Sequence, residues 1–153
     1  MAGAALLALA GCQPASSNPT AVALSAAPSG LAQTVLTISG RGRTQRFIVE
    51  VAASPEEQQK GLMFRDALAP DRGMIFPLPG PEVATFWMKD TLIPLDLLFI
   101  RSDGRIANIA ANAQPMDLSL ILASEPVTAV LEIAGGRAAQ LGISAGDRVR
   151  WRR

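Results

Sequence analysis

The sequence predicts an α+β fold that is mainly β, a small barrel or sandwich-like domain of short strands with two short helices. Apolar residues alternate with polar ones in many short segments, and Gly- or Pro-containing turns separate these segments. The five phenylalanines and two tryptophans of the 153-residue chain all lie between Phe47 and Trp151. We therefore expect a single domain over residues 34–153, with one core of ordinary size.

A β-hairpin is predicted at the start of this domain. Residues 35–38 and 45–51 alternate in polarity, and the segment Ser39–Gly42 between them is a Gly-rich turn. A second hairpin turn is predicted at Asp103–Gly104. The remaining elements are expected to be strands at residues 73–76, 82–88, 95–100, 105–111, 126–133 and 147–151, and a short helix at residues 136–141 that ends at Gly142.

The first helix has the clearest local signals in the chain. Ser54 is a suitable N-cap, Pro55 suits the first helical position, and Glu57 occupies the capping-box position. Gly61 is suited to the residue just after a helix, because glycine adopts positive φ without steric cost. These residues predict a short helix over residues 55–60.

Composition excludes several classes of function. The formal net charge is +1, and the 14 Lys and Arg residues are scattered along the chain, so we expect no nucleic-acid partner. The basic end, residues 148–153, is interpreted as a strand with a solvated tail. The chain has no His and one Cys, which is Cys12. Catalysis by a cysteine or a Ser-His-Asp triad and His- or Cys-ligated zinc are therefore excluded from the domain, and we expect no metal and no cofactor.

The start of the chain is typical of a secretory signal. The apolar run Ala4–Ala10 is shorter than the roughly 20 residues that span a bilayer. It leads into Leu9–Cys12, which resembles a bacterial lipobox, in which the Cys is acylated. Residues 1–12 are predicted to be a lipoprotein signal peptide, and residues 13–33, uncharged and rich in Ala, Ser and Pro, a flexible linker. The resemblance implies a membrane anchor on Cys12, a domain facing the periplasm, and the outer rather than the inner membrane because Gln13 is not Asp.

Three motifs carry a resemblance to a known family. They are Gly61–Arg65, Gly73–Phe76 and the block Phe86–Ile100, which begins Phe-Trp-Met-Lys-Asp-Thr. Together they resemble the bacterial and archaeal family called domain of unknown function 192, over residues 47–151. The resemblance implies a mainly-β fold and no established reaction. The family usually carries Asn where this chain has Asp90, a change that adds a negative charge and removes two donors.

The same motifs supply a candidate ligand-binding site. Pro94 forces the preceding residue into an extended conformation, so residues 91–94 are expected to form a bend beside the sheet. Trp87 and Lys89 are expected to share one face of the strand before it. Such a bend can direct an aromatic ring, a cation and a carboxylate toward one cleft. The candidate ligand-binding residues are Arg65, Trp87, Lys89, Asp90, Thr91, Asp96 and Glu132.

Each candidate also has a structural interpretation. Asp96 could accept backbone N–H bonds at the bend, and Arg65 could pair with Asp96 or Glu132. Trp87 could simply fill the core. Asp96 and Glu132 on separate elements are brought together by no spacing in the sequence, so both interpretations stay open.

We favour a non-catalytic binding module of the cell envelope, for a small molecule, glycan or peptide. The alternative is an envelope hydrolase in which Asp90, Asp96 or Glu132 divide acid and base roles and Lys89 is activated by desolvation. A second alternative is a PDZ-like or structural adaptor domain, because residues 136–149 are similar to the helix–turn–strand of PDZ domains.

Overall fold

The computed structural model describes residues 29–152, which form nine strands and two short helices. Cys12, the predicted signal peptide and residues 13–28 of the predicted linker lie outside the described residues. The helices are α1 (Pro55–Lys60) and α2 (Arg137–Leu141). The strands are β1 (Gln33–Gly40), β2 (Arg43–Val51), β3 (Arg72–Glu82), β4 (Thr85–Phe86), β5 (Leu95–Ile100), β6 (Ile106–Ala113), β7 (Ile121–Leu122), β8 (Val127–Ala134) and β9 (Arg148–Trp151).

Seven of these strands form one mixed sheet in the order β6-β5-β8-β3-β2-β1-β9. The β2–β3 pair is parallel and the other pairs are antiparallel. Strands β4 and β7 form a separate two-stranded sheet. The predicted fold class is confirmed, but the large sheet is not closed into a barrel. A single isolated bridge between Arg105 and Arg148 links its two ends.

Alternation along the strands creates two apolar clusters, one on each face of the large sheet. In β8, Leu131 and Ile133 pack with Phe47 in the first cluster, which α2 covers through Ala138. On the opposite face, Val130 packs in the second cluster. The second cluster also contains Met74, Phe76, Leu97, Phe99, Leu62 and Met88. The candidate site lies on this second face.

The locally signalled elements form as predicted. In the capping box of α1, the Glu57 N–H donates to Ser54 Oγ at 3.2 Å, and the Ser54 N–H donates to Glu57 Oε2 at 2.9 Å. Gly61 follows α1 with φ of 46°, and Gly142 follows α2 with φ of 67°. The hairpins β1–β2 and β5–β6 are both antiparallel, as expected from their turns. Sequence signals at caps and turns therefore suffice for these elements.

The predicted strand over residues 82–88 is largely wrong. Glu82 is the last residue of β3, and only Thr85 and Phe86 of the remainder are in a strand. Their partners are Leu122 and Ile121 of β7, a two-residue strand that the sequence did not predict. Beyond them the chain turns away from the sheet, and the Met88 N–H donates to the Asp117 carbonyl at 2.9 Å. Among residues 29–152, no helix is long and apolar enough to cross a membrane.

Candidate functional site

Two buried glutamates lie in one row across the second sheet face. Glu50 of β2 is opposite Met74 of β3, and Met74 is in turn opposite Glu132 of β8. Adjacent strands are about 4.8 Å apart, so the two glutamate backbones are separated by about 10 Å. Glu50 is 6% exposed and Glu132 is 5% exposed. Their environments are nevertheless opposite.

Glu50 is fully paired. Arg65 donates to it in a two-pronged arrangement, from Nη1 to Oε1 at 2.5 Å and from Nη2 to Oε2 at 2.7 Å. The Ser29 hydroxyl also donates to Oε2. Burial acts to raise the pKa of Glu50, but the hydrogen bonds from Arg65 and Ser29 and the Arg65 charge lower it below its ordinary value. Glu50 is therefore a carboxylate whose charge and lone pairs are satisfied within the fold.

Glu132 has no such partner. Its carboxyl group forms no hydrogen bond and no ion pair within the described part of the chain. Burial raises the pKa of Glu132 to about 8, although the charge of nearby Arg65 acts in the opposite direction. At neutral pH the group is mainly a neutral carboxylic acid, which can donate one hydrogen bond and accept another.

The Glu132 side chain lines a cleft of about 280 Å³. The cleft lies between the end of α1, the outer part of β3, and the segment from β4 to Thr91. Glu132 and Thr91 are its buried polar residues, whereas Lys60 and Trp87 are exposed at its margin. Phe76 and Phe86 supply apolar lining. The cleft thus combines an apolar wall with a few polar groups, the usual composition of a small-molecule site.

Close backbone packing holds Glu132 in this position. A Cβ atom added at Gly73 would lie 2.4 Å from the Glu132 carbonyl oxygen. Glycine therefore lets β3 approach β8 directly beside the site. The segment Gly61–Met63, just after α1, forms part of the cleft wall.

Trp87 and Lys89 come together, but in the segment after β4 rather than on one face of a strand, as the sequence had predicted. Lys89 Nζ lies 5.5 Å from the centroid of the Trp87 ring, within range of a cation–π contact. Trp87 remains 47% exposed, so its ring is accessible to a ligand. The Thr91 side chain lines the cleft, and its hydroxyl donates to the Lys89 carbonyl at 3.2 Å. Trp87, Thr91 and Glu132 are the sequence-predicted candidates that line the cleft.

Asp90 has a backbone role. Its φ is 54°, in the left-handed region where Asn and Asp are enriched among non-glycine residues. Its carbonyl accepts the Phe64 N–H at 2.9 Å, which ties the bend to the segment after α1. This conformation accounts for an Asn or Asp at the position without any donation to a ligand.

Asp96 lies on the opposite face of the sheet from Glu132. Strand alternation in β5 puts Asp96 beside Ile133 and puts Leu97 beside Glu132. The Asp96 carboxylate is fully buried and accepts three backbone N–H bonds, at 2.7 to 2.9 Å, from Asn112, Gly136 and Ala138. It therefore caps the start of α2, and it shares no cleft with Glu132.

Two pairings proposed from the sequence are corrected. Arg65 pairs with Glu50 rather than with Asp96 or Glu132. The backbone donors to Asp96 come from β6 and the start of α2 rather than from the bend at residues 91–94. Sequence reasoning missed Glu50, although a single acid at the end of an apolar strand was a usable signal. It also missed Gln58, Lys60 and Thr85, which line the cleft. No signal in the sequence marked these three residues.

Fold and cleft together define a small β-rich domain with a buried, unpaired carboxyl group open to a cleft. Among residues 29–152, no three acidic or cysteine side chains are grouped to hold a metal ion. The chain belongs to the DUF192 family, described as "Uncharacterized ACR, COG1430", whose model matches residues 35–151. The family resemblance seen in the sequence is therefore confirmed. The PDZ-like segment lies within this match.

Two solved structures are similar over most of the chain. A protein of unknown function from Novosphingobium aromaticivorans DSM 12444 is 48% identical, covers 86% of this chain and 94% of its own, and has a TM-score of 0.83. A protein from Sinorhizobium meliloti 1021, described as a candidate transcription regulator, is 41% identical, covers 79% of this chain and 95% of its own, and has a TM-score of 0.77. No curated protein matches the chain.

Proposed function

We propose that this protein is a lipid-anchored binding module of the cell envelope, whose cleft takes a small, uncharged polar ligand such as a saccharide unit. The anchor on Cys12, the periplasmic orientation and the outer-membrane location are the predictions of the signal-like N-terminus. The ligand class is inferred from the cleft.

The observation that carries the proposal is the unpaired carboxyl of Glu132. Burial raises the pKa of Glu132, so keeping this acid in the fold costs stability at neutral pH. A ligand hydroxyl both accepts and donates, which matches the one donor and one acceptor of a neutral carboxylic acid. Ligand binding would therefore supply the partner that the chain lacks.

The other groups of the cleft favour an uncharged ligand. Lys60 and Glu82 both line it, so its charged residues carry opposite signs. The exposed ring of Trp87 offers a flat apolar surface on which the CH face of a sugar ring can pack, and Thr91 adds a polar side chain deep in the cleft. A cationic ligand would instead draw Glu132 into its ionised form against its burial.

The raised pKa of Glu132 also favours a second candidate, a glycoside hydrolase. A general acid works best when its pKa lies near the operating pH, and burial raises that of Glu132 to about 8. Glu82 is the other carboxylate of the cleft lining, and it is exposed. Asp96 is not available as its partner, because its three hydrogen bonds lie on the other face of the sheet.

Isothermal titration calorimetry with glucose, N-acetylglucosamine and the disaccharide of N-acetylglucosamine tests the binding proposal. We expect at least one to bind, and Glu132→Leu to abolish binding while the protein stays folded. Glu125→Leu is the matched control, because Glu125 is an exposed glutamate just before the same strand. Binding that survives Glu132→Leu, or no binding by any of the three sugars, would contradict the proposal.

The same disaccharide separates the two candidates. A binding module returns it intact after prolonged incubation. A hydrolase releases the monosaccharide, and Glu132→Gln then lowers the rate by a factor of about 10² or more, because the general acid is lost. Release of monosaccharide would replace the first proposal by the second.

A further inference from the structure

The fold collects arginines that are scattered in the sequence onto one outer face of the sheet. In the β2–β1–β9 register, Thr37 lies between Arg46 and Arg150. Two residues further along β1, Ser39 is opposite Arg148 of β9. Arg148 also forms an isolated β-bridge with Arg105, the residue just before β6. Directly opposed residues of antiparallel strands project to the same side. We call the four residues Arg46, Arg105, Arg148 and Arg150 the arginine face.

None of the four arginines forms an ion pair with an acid of residues 29–152, although the charge of Arg105 acts on Asp103. Arg46 and Arg150 are exposed and form no side-chain hydrogen bond or ion pair within residues 29–152. Arg105 and Arg148 donate to backbone carbonyls, those of Gly146 at 2.7 Å and Asp103 at 3.1 Å, which hold the guanidinium groups without cancelling their charge.

The residues between the arginines are hydroxyl-bearing rather than acidic. Ser39 and Thr44 form a hydrogen bond of 3.2 Å with each other, and the Thr37 hydroxyl donates to the Arg150 carbonyl at 3.5 Å. The carboxylates beside the face have other partners: Asp103 forms an ion pair with Arg101 at 3.2 Å, and Asp147, which packs against Gly40, accepts the Ser144 N–H at 2.9 Å. Hydroxyls and free guanidinium groups side by side are the donors that phosphate groups accept from.

The position of the face in the chain indicates what covers it. β1 runs through the middle of the arginine face, and β1 is the element that follows the N-terminal segment directly. Residues 13–28 separate the predicted acylation site, Cys12, from Ser29, whose hydroxyl already donates to Glu50, and a flexible linker of that length reaches on the order of 20 Å. An acylated Cys12 would therefore keep this face close to the membrane surface.

We infer that the arginine face binds the anionic phosphate headgroups of the membrane that anchors the chain. This inference rests on the lipid anchor of the proposed function and goes beyond it, because the anchor alone leaves the domain free to tumble. A lipid chain combined with a cationic patch is a standard two-signal attachment. Each arginine held near an anionic surface raises the affinity about five-fold.

Co-sedimentation with vesicles tests the inference, using the full chain carrying Cys12→Ser so that acylation does not mask the surface contact. The probes are vesicles of phosphatidylcholine alone and vesicles that also contain phosphatidylglycerol. We expect binding to the second kind only, weaker at high salt, because added salt screens surface charges. The double variant Arg46→Gln/Arg150→Gln should weaken binding by about 25-fold, five-fold for each arginine.

Arg137→Gln is the control variant, since it removes one positive charge from α2, outside the face, and should leave vesicle binding unchanged. Equal binding to both kinds of vesicle, or an unchanged affinity in the double variant, overturns the inference. A duplex oligonucleotide is the competing probe. If it binds through Arg46 and Arg150 more tightly than the anionic vesicles do, the face belongs to nucleic acid and the membrane inference is wrong.

Acylation of Cys12 is tested by a separate measurement. Mass spectrometry of the unaltered chain from its host shows whether Cys12 is acylated. An unacylated Cys12 removes the anchor from the proposed function, while vesicle binding by the arginine face still decides the present inference. Saccharide binding should be unaffected by the double variant, because neither arginine lines the cleft.

Discussion

Glu50 and Glu132 lie on the same face of one sheet, on either side of Met74, and are almost equally buried. Arg65 and Ser29 donate to Glu50, whereas Glu132 has no hydrogen-bond partner within residues 29–152. The protonation state of a buried carboxyl group therefore depends on its hydrogen-bond and ion-pair partners and not on burial alone. Glu50 belongs to the architecture, because the fold satisfies it. Glu132 destabilises the fold and faces a cleft, which is the pattern of a residue kept for binding.

Asp96 extends the comparison to a third buried carboxyl. Three backbone N–H groups satisfy it on the other sheet face, at the start of α2. Like Glu50, it is accounted for by the structure alone. Among the buried acids of residues 29–152, only Glu132 has no hydrogen-bond or ion-pair partner that accounts for its burial.

The largest effect is expected from breaking the Glu50 pair. Arg65→Met leaves the Glu50 charge buried without its cationic partner, so we expect a loss of about 3–5 kcal/mol in the free energy of unfolding, measured with urea. The double variant Arg65→Met/Glu50→Leu should recover most of that loss, because no buried charge is left. A loss below about 1 kcal/mol in the single variant would mean that the pair behaves as a surface ion pair.

Replacement of the Glu132 carboxyl group should instead raise the free energy of unfolding at neutral pH. Its pKa is raised from 4.5 to about 8, so the unfolded chain releases the proton before the folded chain does as pH rises. The wild-type protein therefore loses stability between these two values relative to Glu132→Gln. We expect the variant to be more stable by about 3 kcal/mol at pH 7 and nearly equal to wild type at pH 4.5. A variant less stable at pH 7 would show that Glu132 has a partner in the folded protein.

Asp96→Asn sharpens the distinction between structural and functional acids. The amide cannot accept all three N–H bonds, so we expect a loss of about 2 kcal/mol, seen as a lower urea midpoint. Ligand affinity in calorimetry should stay unchanged, because Asp96 is on the other face. An affinity that falls with the stability intact would return Asp96 to the site.

The smallest effect is expected from Ser29→Ala. It removes one neutral donor to Glu50 while the Arg65 pair persists, so the loss should be about 1 kcal/mol. The pKa of Glu50 should rise toward its ordinary value, because one of the hydrogen bonds that lower it is gone. Carbon-detected NMR titration of the glutamate carboxyls measures the pKa values of Glu50 and Glu132 in one experiment. A loss of stability as large as that of Arg65→Met would indicate that Ser29, rather than Arg65, is the main stabilising partner of Glu50.

Local signals in the sequence were sufficient for most of the fold. The capping box at Ser54 and Glu57 and the turn at Asp103–Gly104 depend on neighbours in sequence, and both formed as predicted. The strand at residues 82–88 failed because its pairing depends on β7, a distant two-residue partner. Element types could be predicted from local chemistry, and pairing of short strands could not.

The site was predicted only in part, for the same reason. Glu132 and Trp87 were identified by residue type and motif. The partner of Arg65 was not, because Arg65 lies in the connection between α1 and β3, and no spacing in the sequence reveals that this connection folds back onto Glu50 of β2. Asp96 could have been separated from the cleft only by knowing that β5 puts Leu97 next to Glu132. Which face of a central strand points to a cleft depends on the whole sheet order.

The most direct test of the central claim is the pKa of Glu132 in the folded protein, measured by NMR titration of its side-chain carboxyl carbon. The signal is assigned by its loss in Glu132→Gln, and Glu50 serves as the internal reference on the same sheet face. We expect a midpoint of about 8 for Glu132 and a midpoint below 4.5 for Glu50. A midpoint for Glu132 at or below 4.5 would contradict this expectation, because the carboxyl would then be ionised at neutral pH and could not donate to a ligand.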